Sequence, residues 1–228
     1  TIGGALLLQQ LFNNYKRNQA IAGLAKRLEV TITSNDDAGI VATTGELIDK
    51  YGESLPDIDS LYVIRGTAFL KLGYGDAAIS DATRAIEVNV RNTAAYYLRA
   101  EAYDSAGDVS SAIKDMSEVI RIDPRGAAQA YARRASYLAQ IENYESALRD
   151  ISEAINLDPG EEFWYWRRGQ IRSKMGDYAS AITDFSMAVK LKSSDPANYR
   201  DRGNAYASSG DYAKAIADYT TSLRLAPE

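Results

Sequence analysis

The chain has 228 residues, of which 46% are hydrophobic and 25% are charged. This composition is typical of a folded protein and excludes an intrinsically disordered one. The net charge of −5, without a basic block, predicts no binding of nucleic acid. The sequence contains no cysteine and no histidine, which excludes disulfides, thiol nucleophiles and the usual zinc and haem ligands, so we expect no metal and no cofactor. Nothing in the sequence assigns a cellular compartment.

The first predicted element is a helix over residues 4–29, in which apolar residues recur at spacings of three and four. Its apolar stripe consists of Leu7, Leu11, Tyr15, Ala22, Ala25 and Leu28. Basic side chains flank this stripe, so two interpretations stay open: the helix packs on the next helix, or it lies on an anionic membrane surface. We favour packing. The apolar run at the start of the helix is shorter than the ~20 residues that a membrane span needs.

A second helix is predicted to begin near Asp36 and to end at about Tyr51. The β-branched and polar run Val30–Asn35 predicts a break before it, and Asp36 is a typical N-cap residue. Gly52 follows as a C-cap. Pro56 lies 34 residues before Val90, the equivalent position of the first clear repeat, so residues 25–58 are interpreted as a degenerate sixth unit.

From residue 59 onward one pattern occurs five times with a period of 34 or 35 residues. Two helices and a turn at this period are the signature of a stacked helical array. The predicted repeats are 59–92, 93–126, 128–161, 162–195 and 196–228, after an N-terminal part at 1–58. The leading tyrosines are Tyr62, Tyr96, Tyr131, Tyr165 and Tyr199. The predicted turns between the two helices contain Gly73, Gly107, Glu142, Gly176 and Gly210.

Small residues recur where the two helices of each repeat must cross. On the first helices they are Gly66, Ala100, Ala135, Gly169 and Gly203, and on the second helices Ala78, Ala112, Ala147, Ala181 and Ala215. They predict a close approach of the two backbones. Arg172 stands at the first-helix position where other repeats have a large apolar residue beside this crossing, such as Tyr103. We expect it to open the packing or to extend its head group into water.

An arginine and an aspartate also recur in every repeat, sixteen residues apart. The arginines are Arg65, Arg99, Arg134, Arg168 and Arg202, and the aspartates are Asp81, Asp115, Asp150, Asp184 and Asp218. Because an antiparallel hairpin brings these positions level, we predict a partly buried ion pair in each repeat. Recurrence in every unit favours a structural role over an acidic active site.

These residues together resemble the tetratricopeptide repeat family over residues 59–228. The chain differs from the commonest form of that family in having arginine where leucine is usual and tyrosine where tryptophan leads. The resemblance implies an all-α fold, a right-handed α-solenoid of helix hairpins, that binds peptides or proteins on its concave face. Of the positions that form the clamp for chaperone tails in this family, Arg133 alone matches, so we do not predict such a clamp.

First-helix residues that point away from the hairpin interior would line this concave face. The predicted partner-binding residues are Tyr97, Glu101, Arg133, Phe163, Trp166, Arg167, Gln170, Lys174, Arg200 and Asn204. The same register places Ser136 and Asp201 on this face. The run from Phe163 to Arg167 is notable because tryptophan and arginine are enriched at interface hot spots. The alternative is that the tryptophans fill gaps in the packing, and for Trp164 we favour that alternative.

Catalysis is not expected from this sequence. No histidine can act as a general base, and neither a GxGxxG nor a GxxxxGK[ST] motif is present. We therefore predict a non-enzymatic scaffold whose partner is a protein or a peptide.

A second hypothesis is that the partner is another copy of the same chain. The last repeat ends without a capping helix, so we expect its outer surface to be open to a further partner. The apolar N-terminal helix of a second copy would cover it head to tail, giving rings or filaments. The predicted assembly surface comprises Leu7, Leu8, Leu11, Phe12, Tyr15, Ile216, Tyr219 and Leu223.

Overall fold

A computed structural model describes residues 19–226 apart from residues 53, 54 and 56. In this part of the chain the regular elements are twelve α-helices, which confirms the predicted all-α helical repeat solenoid. The helices are α1 (Gln19–Thr33), α2 (Asp37–Tyr51), α3 (Ile58–Lys71), α4 (Gly75–Val88), α5 (Thr93–Ser105), α6 (Val109–Ile122), α7 (Ala128–Gln140), α8 (Tyr144–Leu157), α9 (Glu162–Lys174), α10 (Tyr178–Leu191), α11 (Pro196–Ser208) and α12 (Tyr212–Leu225). None of these helices is long and apolar enough to cross a membrane.

The chain divides into two compact units, residues 1–118 and 119–228, with the division inside α6. In the first unit, α1, α2 and α3 share an apolar core that includes Leu28 and Leu47. In the second unit, α7, α8 and α9 pack around Ile151, and α10 and α11 pack around Phe185. The repeat boundaries and the division at residue 58 that the sequence suggests stay predictions.

The N-terminal hairpin corrects one sequence-based prediction. α1 continues to Thr33, so the break predicted to begin at Val30 was wrong. Thr31 is buried against α2, and its hydroxyl donates a hydrogen bond to a carbonyl oxygen of the preceding turn. Packing therefore overrides the modest helix propensity of β-branched residues. The chain turns instead at Asn35, which has a φ of 52°, and Asp36 then caps α2 as predicted. The part of the predicted helix before residue 19 lies outside the described residues.

The predicted turns between the helices of the five repeats are present, and each contains a residue with positive φ. Four of these residues are glycines, Gly73, Gly107, Gly176 and Gly210, with φ between 80° and 89°. Glycine adopts this conformation without strain because it has no Cβ atom. Glu142 adopts a φ of 60° at the corresponding turn, which shows that the turn geometry is kept even where glycine is absent.

Two of the small first-helix residues, Gly169 and Gly203, lie directly against large second-helix side chains. A Cβ atom on Gly169 would lie 2.7 Å from the ring of Phe185, and one on Gly203 would lie 2.8 Å from the ring of Tyr219. Real Cβ atoms do not approach other atoms so closely, so alanine at either position would force the aromatic ring to shift. The predicted close crossing of the two helices is confirmed.

Every repeat contains the predicted ion pair between arginine and aspartate. The pairs are Arg65–Asp81, Arg99–Asp115, Arg134–Asp150, Arg168–Asp184 and Arg202–Asp218. Nε and Nη2 of each guanidinium donate to the carboxylate over 2.7 to 3.1 Å. The aspartate side chains are only 2–9% exposed, and the arginine side chains 18–21%. The leading tyrosine ring of the same repeat lies 5.5 to 5.8 Å from the guanidinium carbon.

The same arginines connect adjacent repeats. In three cases Nη1 donates to a hydroxyl on the second helix of the preceding repeat, over 3.2 to 3.4 Å. These contacts are Arg99 to Thr83, Arg168 to Ser152 and Arg202 to Ser186. One guanidinium therefore fixes the register of its own hairpin and also holds the second helix of the preceding repeat in place.

Arg172 behaves differently from the sequence-based expectation. Its side chain is 26% exposed, and Nη1 donates to Asp184 at 2.7 Å instead of reaching water. Asp184 thus accepts hydrogen bonds from both Arg168 and Arg172. The expectation that the head group extends into water was wrong, because the carboxylate of the repeating pair offers acceptor capacity to a second arginine.

We predict that Asp150→Asn lowers the free energy of unfolding by about 3 kcal/mol, because it removes the carboxylate charge to which the mostly buried Arg134 donates two hydrogen bonds. Urea denaturation followed by circular dichroism measures this change. Glu145→Gln is the matched control on the same helix, since its pair with Arg149 is exposed by 86% and 65% and is worth about 0–1 kcal/mol. Equal losses for the two variants would contradict a special role for the buried pair.

Candidate functional site

Hydrogen bonds between side chains connect three first helices of the second unit. Ser136 on α7, three residues of α9 and Asp201 on α11 form one connected network. The three α9 residues are Trp166, Arg167 and Gln170. We call the side of α7, α9 and α11 that these five residues share the first-helix face.

Asp201 is the carboxylate of this network. Its Oδ2 accepts a hydrogen bond from Trp166 Nε1 at 2.9 Å and lies 3.5 Å from Gln170 Nε2. Its Oδ1 accepts from Arg200 Nε at 3.0 Å, and its side chain is 14% exposed. The indole of Trp166 also packs against the apolar core around Phe185, so both its ring and its N–H group are fixed.

Arg167 lies on the other side of the same network. Its Nε donates to Ser136 Oγ at 2.9 Å, and its Nη1 donates to Gln170 Oε1 at 2.9 Å. Both acceptors are neutral. Burial lowers the pKa of the Arg167 guanidinium from its ordinary value, whereas the hydrogen bond to Asp150 raises the pKa of Arg134. Arg167 is therefore a partly desolvated cation that its own surroundings do not neutralise.

An exposed aromatic ring lies beside this network. Phe163 is 44% exposed, and its ring centroid lies 5.3 Å from that of Trp166 and 5.6 Å from that of Trp164. Trp164 packs against the core of α7, α8 and α9, and its buried N–H group has no hydrogen-bond partner among the described residues. The favoured structural role for Trp164 therefore agrees with its packing, while Phe163 is accessible to a ligand.

Comparison with known proteins identifies the family of this array. Family models described as tetratricopeptide repeat match residues 65–127, 128–161, 165–195 and 196–228. The chain belongs to the tetratricopeptide repeat family. No curated protein matches the chain.

Solved structures of other tetratricopeptide repeat proteins have a similar fold. One from Parabacteroides merdae ATCC 43184 is 18% identical, with a TM-score of 0.80, over 92% of this chain and 82% of that chain. MamA from Desulfovibrio magneticus RS-1 is 18% identical, with a TM-score of 0.66, over 73% and 94%. YrrB, described as a TPR protein with an unusual peptide-binding site, is 15% identical, with a TM-score of 0.61, over 81% and 93%. At these identities the likeness shows the fold alone.

The other predicted partner-binding residues lie at several places in the tetratricopeptide repeats. Tyr97 and Glu101 are on α5 in the first unit, the former half-buried and the latter exposed. In the second unit, Arg133 is half-buried on α7, and Lys174 is exposed at the end of α9. Asn204 is exposed on α11, and its Oδ1 accepts a hydrogen bond from the Tyr219 hydroxyl at 2.8 Å.

The predicted assembly residues separate into three groups. Those before residue 19, namely Leu7, Leu8, Leu11, Phe12 and Tyr15, lie outside the described residues. Ile216 and Leu223 are 65% and 69% exposed on α12. Tyr219 is half-buried and packs on Gly203 inside its own hairpin, as Phe185 packs on Gly169 in the preceding repeat.

Two features of the tetratricopeptide array were missed by the sequence reasoning. The hydroxyls that receive the repeating arginines follow the aspartates by two residues, and this Asp-x-Ser/Thr pattern occurs in every repeat. The pattern was therefore available as a signal. The hydrogen-bond network around Asp201 left no such signal. The predicted partner-binding residues included Trp166, Gln170 and Arg200, but nothing in the sequence indicated that they contact Asp201. Among the described residues, no group of three or more acidic side chains could hold a metal ion.

We predict that Arg167→Met leaves the protein at least as stable as the wild type, with a gain of about 0.5 kcal/mol, because it removes a partly buried charge that lacks a counter-ion. Thermal unfolding followed by circular dichroism measures this effect. Arg168→Met is the comparison variant on the next residue, and it should lower stability because Asp184 then loses a partner. A large loss for Arg167→Met would show that its neutral contacts stabilise the fold.

Proposed function

We propose that the chain is a non-catalytic scaffold that binds a segment of another protein on the first-helix face of the second unit. The observation that carries this proposal is the exposed ring of Phe163 beside Trp166 and Arg167 on α9. Aromatic and arginine side chains dominate the binding energy of protein interfaces. Tetratricopeptide repeats serve as scaffolds for such interactions, and YrrB shows by its description that a member with this fold binds a peptide.

The fixed geometry of the face also supports binding. Asp201 holds Trp166, while Ser136 and Gln170 hold Arg167, so these side chains have already lost much of their rotational freedom. A partner that binds fixed side chains avoids about 0.5–1.5 kcal/mol of ordering cost for each one. The absence of histidine and of a glycine-rich phosphate-binding motif from the sequence supports a role without catalysis.

A selection from a library of random linear peptides tests this function. We expect the full chain to enrich peptides whose binding depends on Phe163, and Phe163→Ala to weaken the best peptide about tenfold, since truncating a hot-spot side chain costs more than ~1 kcal/mol. Fluorescence anisotropy of a labelled peptide measures the affinity.

Met175→Ala is the matched control for this selection. Met175 is 49% exposed, close to the 44% of Phe163. It lies directly after the last residue of α9, at the other end of the helix from Phe163. Binding should be unchanged in this variant. If Phe163→Ala and Met175→Ala both bind the selected peptides with the wild-type affinity, the interaction lies elsewhere and the proposed face is refuted.

A second candidate function is self-assembly through α12. The observation that favours it is the exposure of Ile216 and Leu223, since the corresponding residues Ile182 and Val189 are half-buried on α10, a helix that packs against α11. Thr220 on α12 occupies the position that corresponds to Ser186 on α10, whose hydroxyl accepts a hydrogen bond from Arg202 of the next repeat. In this hypothesis the N-terminal segment of a second copy covers α12.

Light scattering over a range of protein concentrations tests this second candidate. Self-assembly predicts a mass that rises with concentration, and both Ile216→Glu and deletion of residues 1–15 should return the protein to a monomer because each removes one side of the contact. Val88→Glu is the control, since Val88 is 54% exposed on α4. A wild-type chain that stays monomeric at every concentration would eliminate self-assembly.

A further inference from the structure

The hairpin of α1 and α2 contains the same arginine position as the five repeats. Arg27 lies eight residues before the turn residue Asn35, the spacing that separates each repeating arginine from the turn of its own hairpin. Its Nε donates to Thr43 Oγ1 at 3.2 Å, sixteen residues further on, and its Nη2 donates to Glu46. Thr43 thus takes the place of the repeating aspartate. Arg27 is therefore the equivalent of the arginines that connect adjacent repeats.

One stripe of α1 is exposed although its equivalents on the other first helices are mostly buried. This α1 stripe consists of Gly23, Arg27 and Val30, in which the Arg27 side chain is 51% exposed and Val30 is 59% exposed. At the position of Val30 the five repeats have residues that are at most 6% exposed: Ala68, Ala102, Tyr137, Ile171 and Ala205. The repeating arginines are 18–21% exposed. Among the described residues, the α1 stripe thus lacks the neighbouring helix that covers it elsewhere.

α12 exposes the surface that such a stripe covers within the second unit. Its exposed residues Ile216, Thr220 and Leu223 form the α12 stripe. Their equivalents on α10 are half-buried and contact α11: Ala205 shares a core cluster with Ile182, and Arg202 Nη1 donates to the Ser186 hydroxyl at 3.3 Å. The contact between α10 and α11 therefore shows how a first-helix stripe fits a second-helix stripe.

The hydroxyl of Thr220 is oriented for the same contact. It donates to the carbonyl oxygen of Ile216 at 2.7 Å, just as the Ser186 hydroxyl donates to the carbonyl oxygen of Ile182 at 2.7 Å. The lone pairs of both hydroxyls therefore remain available to a donor. No described residue donates to Thr220, and Nη1 of Arg27 has no acceptor among the described residues. The two stripes thus leave one donor and one acceptor that match the contact between repeats.

We propose that α1 of a second copy packs on α12, with Arg27 Nη1 donating to the Thr220 hydroxyl. The register follows from α10 and α11, where Arg202 meets Ser186 and Ala205, three residues later, meets Ile182. Val30 of the second copy then lies on Ile216. The inference rests on the self-assembly candidate and assigns its contact. The occupant is a second copy because both halves of the contact are present on this chain, which makes the interface heterologous.

Crosslinking of two single-cysteine variants tests this contact, because the chain has no cysteine of its own. Val30→Cys is mixed with Ile216→Cys and treated with a short bismaleimide reagent, so that a mixed dimer reports contact between copies. The control pair is Val88→Cys with Ile216→Cys, since Val88 is 54% exposed on α4 and lies outside both stripes. We expect the mixed dimer of the first pair to form about tenfold faster, because bound copies hold the two thiols close together. Equal rates would overturn the inference.

A double-mutant cycle tests the hydrogen bond itself. Arg27→Gln should weaken self-association about tenfold, because a charge-assisted hydrogen bond is lost. Thr220→Val keeps the shape of the side chain without the hydroxyl and should cause a similar loss, while both changes together should cause little further loss. Sedimentation over a range of concentrations measures the association constant. Losses that add in the double variant would contradict a direct contact.

Two comparisons separate this inference from self-assembly in general. Arg84→Gln removes an equal charge from the exposed pair with Glu87 on α4 and should leave self-association unchanged. An equal loss in that variant would overturn the assigned contact. Self-association that is abolished by Ile216→Glu but unaffected by Val30→Glu and Arg27→Gln would overturn the inference and leave self-assembly standing. A chain that stays monomeric at every concentration and gives no mixed dimer above the control would refute both.

Discussion

The buried pair of arginine and aspartate is the interaction on which the rest of the array depends. It joins the two helices of a hairpin at residues sixteen positions apart, with the carboxylate almost completely removed from solvent. Such a pair contributes little net stability relative to an apolar contact, but breaking it leaves a buried charge and is strongly unfavourable. A hairpin shifted by one residue would break it. The pair therefore selects one register, and the hydrogen bond from Nη1 to the preceding repeat extends that register along each unit.

This constraint also explains how one helix serves both structure and binding. Arg167 and Arg168 are adjacent in sequence and point about 100° apart around α9. Arg168 faces its own hairpin and is neutralised by Asp184, whereas Arg167 faces the neighbouring first helices and meets neutral oxygens. The periodic residues hold the helix in place. The residues between them are then free to differ from repeat to repeat and to form a surface with its own chemistry.

Much of this architecture could be predicted because it repeats. The turn glycines, the small residues at the helix crossings and the ion pairs each occur at a fixed spacing, so an error in one repeat is corrected by the others. Prediction failed where a residue departs from the pattern. α1 continues through Thr31 because burial against α2 outweighs local propensity. Arg172 stays near Asp184 because a carboxylate already fixed by the repeat accepts a second donor.

Periodic spacing along one chain is sufficient to predict the family, the all-α array and the residues that pair within each hairpin. Which charges are balanced depends instead on how the helices pack. Arg167 and Asp201 occupy the same position of consecutive repeats and Trp166 precedes that position, but the residue type there changes from repeat to repeat. Their hydrogen-bond partners depend on the approach of side chains from neighbouring repeats. Hydrogen bonds at 2.9 Å depend on rotamers and on helix placement, which spacing in sequence does not specify.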